Sequence, residues 1–402
     1  MINKENLGSN LPTILSGFFL FSCFYLNNLS ISIFFILLYT LIVFKDDIIK
    51  KFKINWLTIL PILFFLFTCL SYFYSDNTVE FLSIIERRLL WIISPFFLPI
   101  FIKKINFSLL KQIFYWIIFS SFVYNFISSY FIDMYDGLYS YLGSAYTHPL
   151  HPTYVSVYVN IALIMLFVEL ISGKKKNLFF LPIFILFIII ASSKLAIILL
   201  IFNILLCSIF LISKSWISIK NILVTIVVFL ATIYLVFQNP TVSSKFTEAR
   251  NSIEIPINES VFEDPSYHPS SSNQRLVAWE ASIDIIKQNY LIGVGSGDYL
   301  DCMVAQYKKN GNTYLQKKRL DSHQQFLQTY AELGIIPLLI LLSIFLTLVV
   351  VSAKNKSLLL FMFASNFFIF GITESFLERQ AGLIFFLFFL YLLTNKKILN
   401  GN

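Results

Sequence analysis

The chain consists largely of long apolar runs, and these constrain its fold more than any other feature. A hydrocarbon core about 30 Å thick requires about 20 apolar residues for one helical crossing. Twelve candidate segments follow one another along the chain: 11–27, 29–44, 56–74, 88–102, 112–132, 153–171, 178–191, 195–212, 222–237, 334–352, 358–375 and 381–394. We therefore predict an all-α polytopic membrane protein with about 12 transmembrane helices.

The composition agrees with this fold class and excludes several others. Charged residues make up 13% and hydrophobic residues 57% of the chain, whereas soluble domains carry about 25% charged residues. So little polar surface excludes a cytosolic enzyme, a disordered chain and a nucleic-acid-binding protein. The net charge of +8 would by itself suggest a nucleic-acid partner, but the positions of the basic residues explain it by membrane topology.

The basic residues lie mainly in alternate loops. If Lys4 is cytoplasmic, the same side carries the lysines of 45–53, 103–111, 174–176, 214–220, 354–356 and 396–397. Apart from one long loop, the opposite side carries only Arg87, Arg88, Lys194 and Arg379. Because short cytoplasmic loops are enriched in Lys and Arg, both termini are predicted to face the cytoplasm. The first apolar run has no small-residue cleavage site, so no cleavable signal peptide is expected.

One long loop divides the chain into three parts. Residues 1–237 form transmembrane helices 1–9, residues 238–333 form a large periplasmic loop, and residues 334–402 form transmembrane helices 10–12 and a cytoplasmic tail. Apolar residues at spacings of three and four predict an amphipathic helix in the loop, with one stripe formed by Leu276, Trp279, Ile283, Ile286 and Tyr290. A second helix is expected to begin near Asp321-Ser322 and to end near Gly334. The loop is thus mainly helical, and its length makes it the first place to seek chemistry.

Two residues of this loop are candidates for catalysis. His323 would lie in the first turn of the second loop helix, where the helix dipole disfavours imidazolium and leaves a neutral general base. Arg275 opens the first loop helix, and its planar guanidinium matches the oxygens of a pyrophosphate. Position alone leaves simpler readings open, namely a solvent-facing histidine and a solvated charge at a helix end.

Three further cations lie near the predicted outer membrane surface. Arg87 and Arg88 follow Glu86 at the outer mouth of span four, where they either extend their charges to the interface or bind a substrate. Lys194 lies between spans seven and eight, at a depth where a charge is costly and often functional.

A segment with two histidines, His148-Pro-Leu-His151-Pro-Thr-Tyr154, leads into span six. Histidines three residues apart can bind a metal on a helix, but the prolines beside them prevent helical geometry. No carboxylate lies nearby at a ligand spacing either. No metal site and no other cofactor is therefore predicted.

Together these motifs resemble the signature region of the O-antigen ligase and O-antigen polymerase superfamily. The matching elements are Arg275…Trp279, Gly293-Val294-Gly295, Ser322-His323-Gln324-Gln325-Phe326-Leu327 and Glu332-Leu333-Gly334-Ile335-Ile336-Pro337. The stretch from His148 to Tyr154 is similar to the loop before the sixth span of ligase-type members. Two positions depart from the pattern. Lys194 stands where many relatives have arginine, so the charge is kept but the bidentate hydrogen bonding of a guanidinium is lost. Gln324 replaces the more common asparagine.

The resemblance implies a glycosyltransferase of the bacterial inner membrane, active on the periplasmic side. It implies an inverting, metal-independent reaction without a cofactor. The donor would be a glycan on undecaprenyl diphosphate, and the acceptor a sugar hydroxyl of lipid A-core or another glycan. His323 would be the general base, with Arg275 beside it. The expected substrate- and pyrophosphate-binding residues are Arg87, Arg88, Lys194, His148, His151 and Tyr154.

The acceptor remains open within this family. A ligase transfers finished polymer to lipid A-core, a polymerase joins repeat units on the lipid carrier, and protein O-glycosylation is a third possibility. The His-Pro-Thr-Tyr stretch and the single large loop before the last three spans favour a ligase. A secondary transporter is the alternative of another class, but transporters usually carry paired repeats and polar midplane helices, whereas these span centres are nearly free of charge.

Overall fold

Helices make up the regular secondary structure of the part of the chain that the computed structural model describes, residues 4–26, 29–51, 54–136, 147, 151–213, 247 and 271–399. These residues contain no β-strand, so the predicted all-α class is confirmed for them. The predicted span 222–237, most of the first half of the long loop and His148 lie outside the described residues. The three-part division of the chain therefore remains a prediction.

The helices preceding the long loop closely follow the apolar runs. They are α1 (Lys4–Tyr25), α2 (Ser30–Lys51), α3 (Trp56–Leu70), α4 (Thr78–Arg88), α5 (Leu90–Ile102), α6 (Phe107–Asp136), α7 (Pro152–Ile171), α8 (Phe180–Ala191) and α9 (Lys194–Ser213). The described part of the loop and the C-terminal region form α10 (Ser271–Asn289), α11 (Tyr299–Lys309), α12 (Thr313–Lys318), α13 (Gln325–Leu333), α14 (Ile335–Lys354), α15 (Leu358–Thr373), α16 (Gln380–Leu393) and α17 (Lys396–Leu399).

Within the described ranges, 4 segments are long and apolar enough to cross a membrane: Trp56–Tyr74, Phe107–Phe131, Pro152–Ile171 and Ile335–Lys354. Shorter apolar helices occupy Asn10–Tyr25, Phe180–Ala191, Lys194–Phe210, Leu358–Thr373 and Gln380–Leu393. Each of these segments overlaps a predicted span. The chain is thus a helical membrane protein, while the total of twelve spans and the cytoplasmic position of the termini remain predictions.

Helix α4 was not expected from the sequence, which suggested a loop before span four. The Asn77 side chain caps its first turn by accepting a hydrogen bond from the Glu80 backbone N–H at 3.1 Å. Its buried residues, Phe81, Ile84 and Arg88, recur at spacings of three and four and form one face. Arg88 therefore ends an amphipathic helix with its side chain in the protein interior, and the next helix begins only at Leu90.

Helix α7 is buried along almost its whole length. Its Asn160 side chain donates a hydrogen bond to the Ala196 carbonyl of α9 at 3.1 Å. The Asn203 amide of α9 in turn donates to Asn366 of α15 at 3.0 Å. Interhelical amide bonds of this kind satisfy polar groups without introducing a charge into the membrane. They fix α7, and with it His151 at its N-terminus, relative to α9 and α15.

The described loop helices have a small core of their own, formed by Val277, Ala278, Ala281, Ile285, Tyr299, Met303, Tyr307, Leu315 and Ala331. The predicted stripe of α10 was wrong. Ile283 and Tyr290 are 43% and 55% exposed, whereas the buried face is formed by Val277, Ala278, Ala281, Ser282 and Ile285. The period is helical as expected, but the small side chains allow α11 and α13 to pack closely on this face.

A turn over residues 293–297 joins the loop core to the end of α13. The Val294 N–H donates to the Ala331 carbonyl at 3.0 Å, and the Gly295 N–H donates to the Glu332 carbonyl at 2.9 Å. Gly293 has a φ of +71°, and a Cβ there would lie 2.4 Å from the Glu332 carbonyl oxygen. Only glycine fits this close approach. The Gly-x-Gly motif therefore forms a tight turn, which holds Glu332 in place.

Candidate active site

A cavity of about 390 Å³ lies where the ends of several membrane helices meet the loop helices. Cys23, Leu26 and Leu29, from α1 and the segment that leads into α2, line its apolar side. The polar side chains that line it include Arg275, His151, His323, Glu374 and Arg379. The cavity therefore offers charged groups and a hydrocarbon-like wall to one ligand.

His323 and Glu374 form a hydrogen-bonded pair in this cavity. The His323 Nδ1 lies 3.0 Å from Glu374 Oε1, and the two side chains are 23% and 8% exposed. A carboxylate partner at Nδ1 selects the tautomer with its proton on that nitrogen, so the lone pair of the neutral ring is on Nε2. This is the arrangement of a general base oriented by an acid.

The backbone at His323 is unusual and differs from the sequence-based expectation. His323 has a φ of +46°, in the left-handed region that few non-glycine residues adopt. Its backbone N–H donates to Asp321 Oδ1 at 2.8 Å, which stabilises this conformation. Helix α13 begins only at Gln325, and the Gln324 side chain caps it by accepting from the Leu327 N–H. The predicted first-turn position of His323 was therefore wrong, because the chain turns sharply before the helix starts.

The electrostatics of His323 also differ from the expectation of a dipole-depressed imidazole. Burial alone would lower the pKa of His323, but the hydrogen bond to Glu374 and the charge of Asp321 outweigh it, so the pKa is raised. Burial would raise the pKa of Glu374, but His323 and Arg275 lower it below its usual value. An ionised Glu374 thus makes His323 a stronger proton acceptor than an isolated histidine.

We expect Glu374→Gln to lower the His323 pKa, because the substitution removes an opposite charge in direct contact. The pKa can be measured by NMR titration of histidine-labelled protein, since the chain has only 4 histidines. Asp284→Asn is the matched control, because this half-buried carboxylate on α10 pairs with Lys287 and does not line the cavity. An unchanged His323 titration in Glu374→Gln would contradict the proposed pair.

Arg275 shares the same carboxylate. Its Nη2 lies 3.4 Å from Glu374 Oε2, and its side chain is 30% exposed. Glu374 thus bridges the histidine and the guanidinium from α10. An imidazole and a guanidinium are brought together although 48 positions separate them in the sequence, from 275 to 323.

Residues 178–342 match a family model described as O-antigen ligase. This part of the chain is similar to the O-antigen ligase family. The match includes Lys194, Arg275 and His323, and it confirms the resemblance seen in the sequence. It supports a membrane glycosyltransferase of the ligase and polymerase type. The chain has no match among curated proteins.

Two of the remaining predicted residues line the same cavity. His151 is the N-cap of α7, where its Nδ1 accepts from the Thr153 N–H at 3.4 Å. The Tyr154 hydroxyl is buried and has no hydrogen-bond partner among the described residues. Both side chains border the cavity together with His323 and Arg275. The His-Pro-Thr-Tyr stretch is therefore adjacent to the candidate base.

Arg87, Arg88 and Lys194 do not line the cavity. Arg87 pairs with Glu80 at 3.2 Å. Lys194 Nζ donates to Ser272 Oγ at 3.2 Å, next to the cavity-lining Ser271. Lys194 thus remains close to the site, whereas Arg87 points its charge to a neighbouring carboxylate on its own helix.

The surroundings of Arg88 favour a structural role over the expected pyrophosphate contact. Its guanidinium is 1% exposed and forms a bidentate pair with Glu332, at 2.6 and 2.7 Å. It also donates to Glu378 at 2.7 Å. Two carboxylates therefore already accept hydrogen bonds from both terminal nitrogens of Arg88, and these three residues form a buried cluster, which we call the Arg88 cluster. Its role is to connect α4 with the end of α13 and with residues 376–378.

Sequence reasoning missed two cavity residues, Glu374 and Arg379. Both follow the part of the chain that matches the family model. A signal was present for Glu374, since it is an ionisable residue at the end of an otherwise uncharged predicted span, where such residues are often functional. Arg379 was noted only as one of the few basic residues on the predicted outer side.

Proposed function

We propose that this protein is an inverting, metal-independent glycosyltransferase of the bacterial inner membrane that acts on the periplasmic side. It transfers a glycan from undecaprenyl diphosphate to a sugar hydroxyl, and the favoured reaction is O-antigen ligation onto lipid A-core. The observation that carries the proposal is the convergence of His323, Glu374 and Arg275 in one cavity beside membrane helices.

The reaction is a single displacement at the anomeric carbon of the donor sugar. The acceptor hydroxyl gives its proton to His323 Nε2 while its oxygen forms the new bond to the anomeric carbon. The bond from that carbon to the diphosphate oxygen breaks, and undecaprenyl diphosphate leaves with the electron pair. Attack from the face opposite the leaving group inverts the configuration. Glu374 stabilises the imidazolium formed, and Arg275 stabilises the charge that develops on the diphosphate.

The position of the cavity suits a lipid-linked donor. Its apolar side includes Cys23 of the membrane helix α1 and Leu26 and Leu29, which lie between α1 and α2. Its polar side carries the histidine and arginines. A polyprenyl tail would therefore remain in hydrocarbon-like surroundings while the diphosphate reaches the charged groups.

The decisive experiment combines purified protein, an undecaprenyl-diphosphate-linked glycan and lipid A-core in detergent with EDTA. We expect product without any ion gradient or added metal, as judged by the mobility of the lipid A product on gels. No group of three or more metal-ligating side chains forms within the described ranges, and the EDTA arm tests metal independence directly. Absence of transfer, or transfer that depends on metal, would contradict the proposal.

The acceptor is decided by glycan analysis of a strain that lacks the protein. Loss of a ligase leaves long lipid-linked polymer that does not reach the core. Loss of a polymerase leaves core capped with a single repeat unit. Unchanged lipopolysaccharide with an unglycosylated membrane or periplasmic protein would instead indicate protein O-glycosylation.

A further inference from the structure

We propose that Arg379 binds the phosphate of the donor that lies closest to the lipid tail, in a subsite completed by the N-terminus of α16 and by the Tyr154 hydroxyl. This inference rests on the proposed function and extends it, because it divides the recognition of the diphosphate between two arginines. Arg275 then binds the phosphate next to the sugar.

The two arginines of the cavity differ in how far their charges are compensated. The side chains of Arg275 and Arg379 both line it, together with the carboxylate of Glu374. Arg275 lies 3.4 Å from Glu374, so part of its charge is compensated before a ligand binds. Arg379 forms no ion pair with any described residue and is exposed. Arg379 therefore contributes the uncompensated positive charge that an anionic ligand would meet.

The backbone at Arg379 also favours an anion. This residue is the N-cap of α16, which spans 14 residues, and Gln380 and Ala381 of its first turn also line the cavity. The first N–H groups of a helix have no partner within the helix and, with the helix dipole, favour an anion. A guanidinium and a helix N-terminus thus face the same space.

The hydroxyl of Tyr154 is a buried donor without a partner among the described residues. Tyr154 is 8% exposed, lines the cavity, and its hydroxyl makes no hydrogen bond to a described residue. A buried hydroxyl without a partner carries a free-energy cost, which a ligand oxygen would remove. This observation indicates a ligand independently of the helix terminus.

The position of Arg379 assigns it to the phosphate on the lipid side. Its neighbour Gln380 accepts a hydrogen bond from Ser30 Oγ at 2.9 Å, next to Leu29 in the apolar wall. Arg275 instead lies on α10, beside Glu374 and the candidate base. A diphosphate whose tail follows the apolar wall therefore meets Arg379 first and Arg275 nearer to the reacting sugar.

The test measures binding of short prenyl ligands to the purified full-length protein in detergent by calorimetry. The probes are a prenyl diphosphate, the corresponding monophosphate and the uncharged alcohol. We expect Arg379→Ala to weaken both phosphorylated ligands by about tenfold or more and to leave the alcohol unaffected, because a charge-assisted hydrogen bond is lost. Arg275→Ala should weaken the diphosphate far more than the monophosphate. Arg379→Lys should retain part of the affinity, and Tyr154→Phe should lower it less than Arg379→Ala.

Arg319→Ala is the matched control, since Arg319 is an exposed arginine of the long loop that pairs with Asp301 and does not line the cavity. Wild-type affinity of Arg379→Ala for the monophosphate would overturn the inference, and if Arg275→Ala still loses the diphosphate, the proposed function stands. If the wild-type protein binds the alcohol as well as the diphosphate, both the inference and the proposed donor are wrong.

Discussion

His323→Ala is expected to abolish glycan transfer while the protein remains at normal levels in the membrane. A general base contributes about 10²–10⁴-fold to a rate, and within the described residues no other imidazole is hydrogen-bonded to Glu374. The side chain is 23% exposed and lies in a cavity rather than in a core, so its removal costs little packing. Loss of activity should therefore appear without loss of the folded protein, when transfer by purified protein is compared with its elution on size-exclusion chromatography.

A graded series separates a role in proton transfer from a role in structure. Glu374→Gln should retain some activity, because a glutamine can still orient the ring although it no longer raises the His323 pKa. Added imidazole should restore part of the activity of His323→Ala, since the vacated cavity can admit it. Gln288→Ala, an exposed change on α10, is the matched control and should behave as wild type. Wild-type turnover by His323→Ala would remove His323 from the mechanism.

The helices and the candidate catalytic motif were accessible from the sequence because each is a local property. A run of apolar residues forms a helix in a membrane wherever it occurs, so the apolar runs match the described helices closely. The His323 and Arg275 motifs lie within a single continuous loop. In contrast, Glu374 lies 51 positions after His323, and nothing local in the sequence pairs the two.

The errors also have a common physical origin. The apolar stripe of α10 was placed on its largest residues, but the helix buries Ala278 and Ala281 because close helix packing favours small side chains. The start of α13 was placed at a strong capping residue, Asp321, yet this carboxylate instead accepts from the His323 N–H. In both cases the helical period or the capping residue type was identified correctly. Tertiary packing determined which residues are buried and where the helix begins.

Arg88 is a further residue whose surroundings depend on tertiary packing. Its place beside a predicted membrane surface suggested a substrate contact. In the protein it is enclosed by Glu332, Glu378 and Thr68, with the Thr68 hydroxyl 3.5 Å from its Nη1. Gln325 extends this network, because its Nε2 donates to Glu378 and its Oε1 accepts from the Leu377 N–H. The Arg88 cluster therefore fixes the segment between α15 and α16, which carries both Glu374 and Arg379.

Arg88→Ala is accordingly expected to destabilise the protein by about 3–5 kcal/mol, the cost of breaking a buried ion pair and leaving its partner uncompensated. Two carboxylates, Glu332 and Glu378, would lose the cation between them. The expected readout is a marked fall in the thermal unfolding temperature of the purified protein and in its level in the membrane. Glu378→Gln should be milder, because the bidentate pair of Arg88 with Glu332 remains and the glutamine oxygen can still accept a hydrogen bond.

The neighbouring arginine provides the matched control. Arg87 is on the same helix, but its side chain is 40% exposed and pairs with the exposed Glu80, so Arg87→Ala should change stability by less than about 1 kcal/mol. The contrast between two adjacent arginines distinguishes a structural role from a substrate contact. If Arg88 bound the donor instead, Arg88→Ala would leave the unfolding temperature unchanged and weaken only the binding of the prenyl diphosphate, because a ligand-binding cation does not hold the fold together.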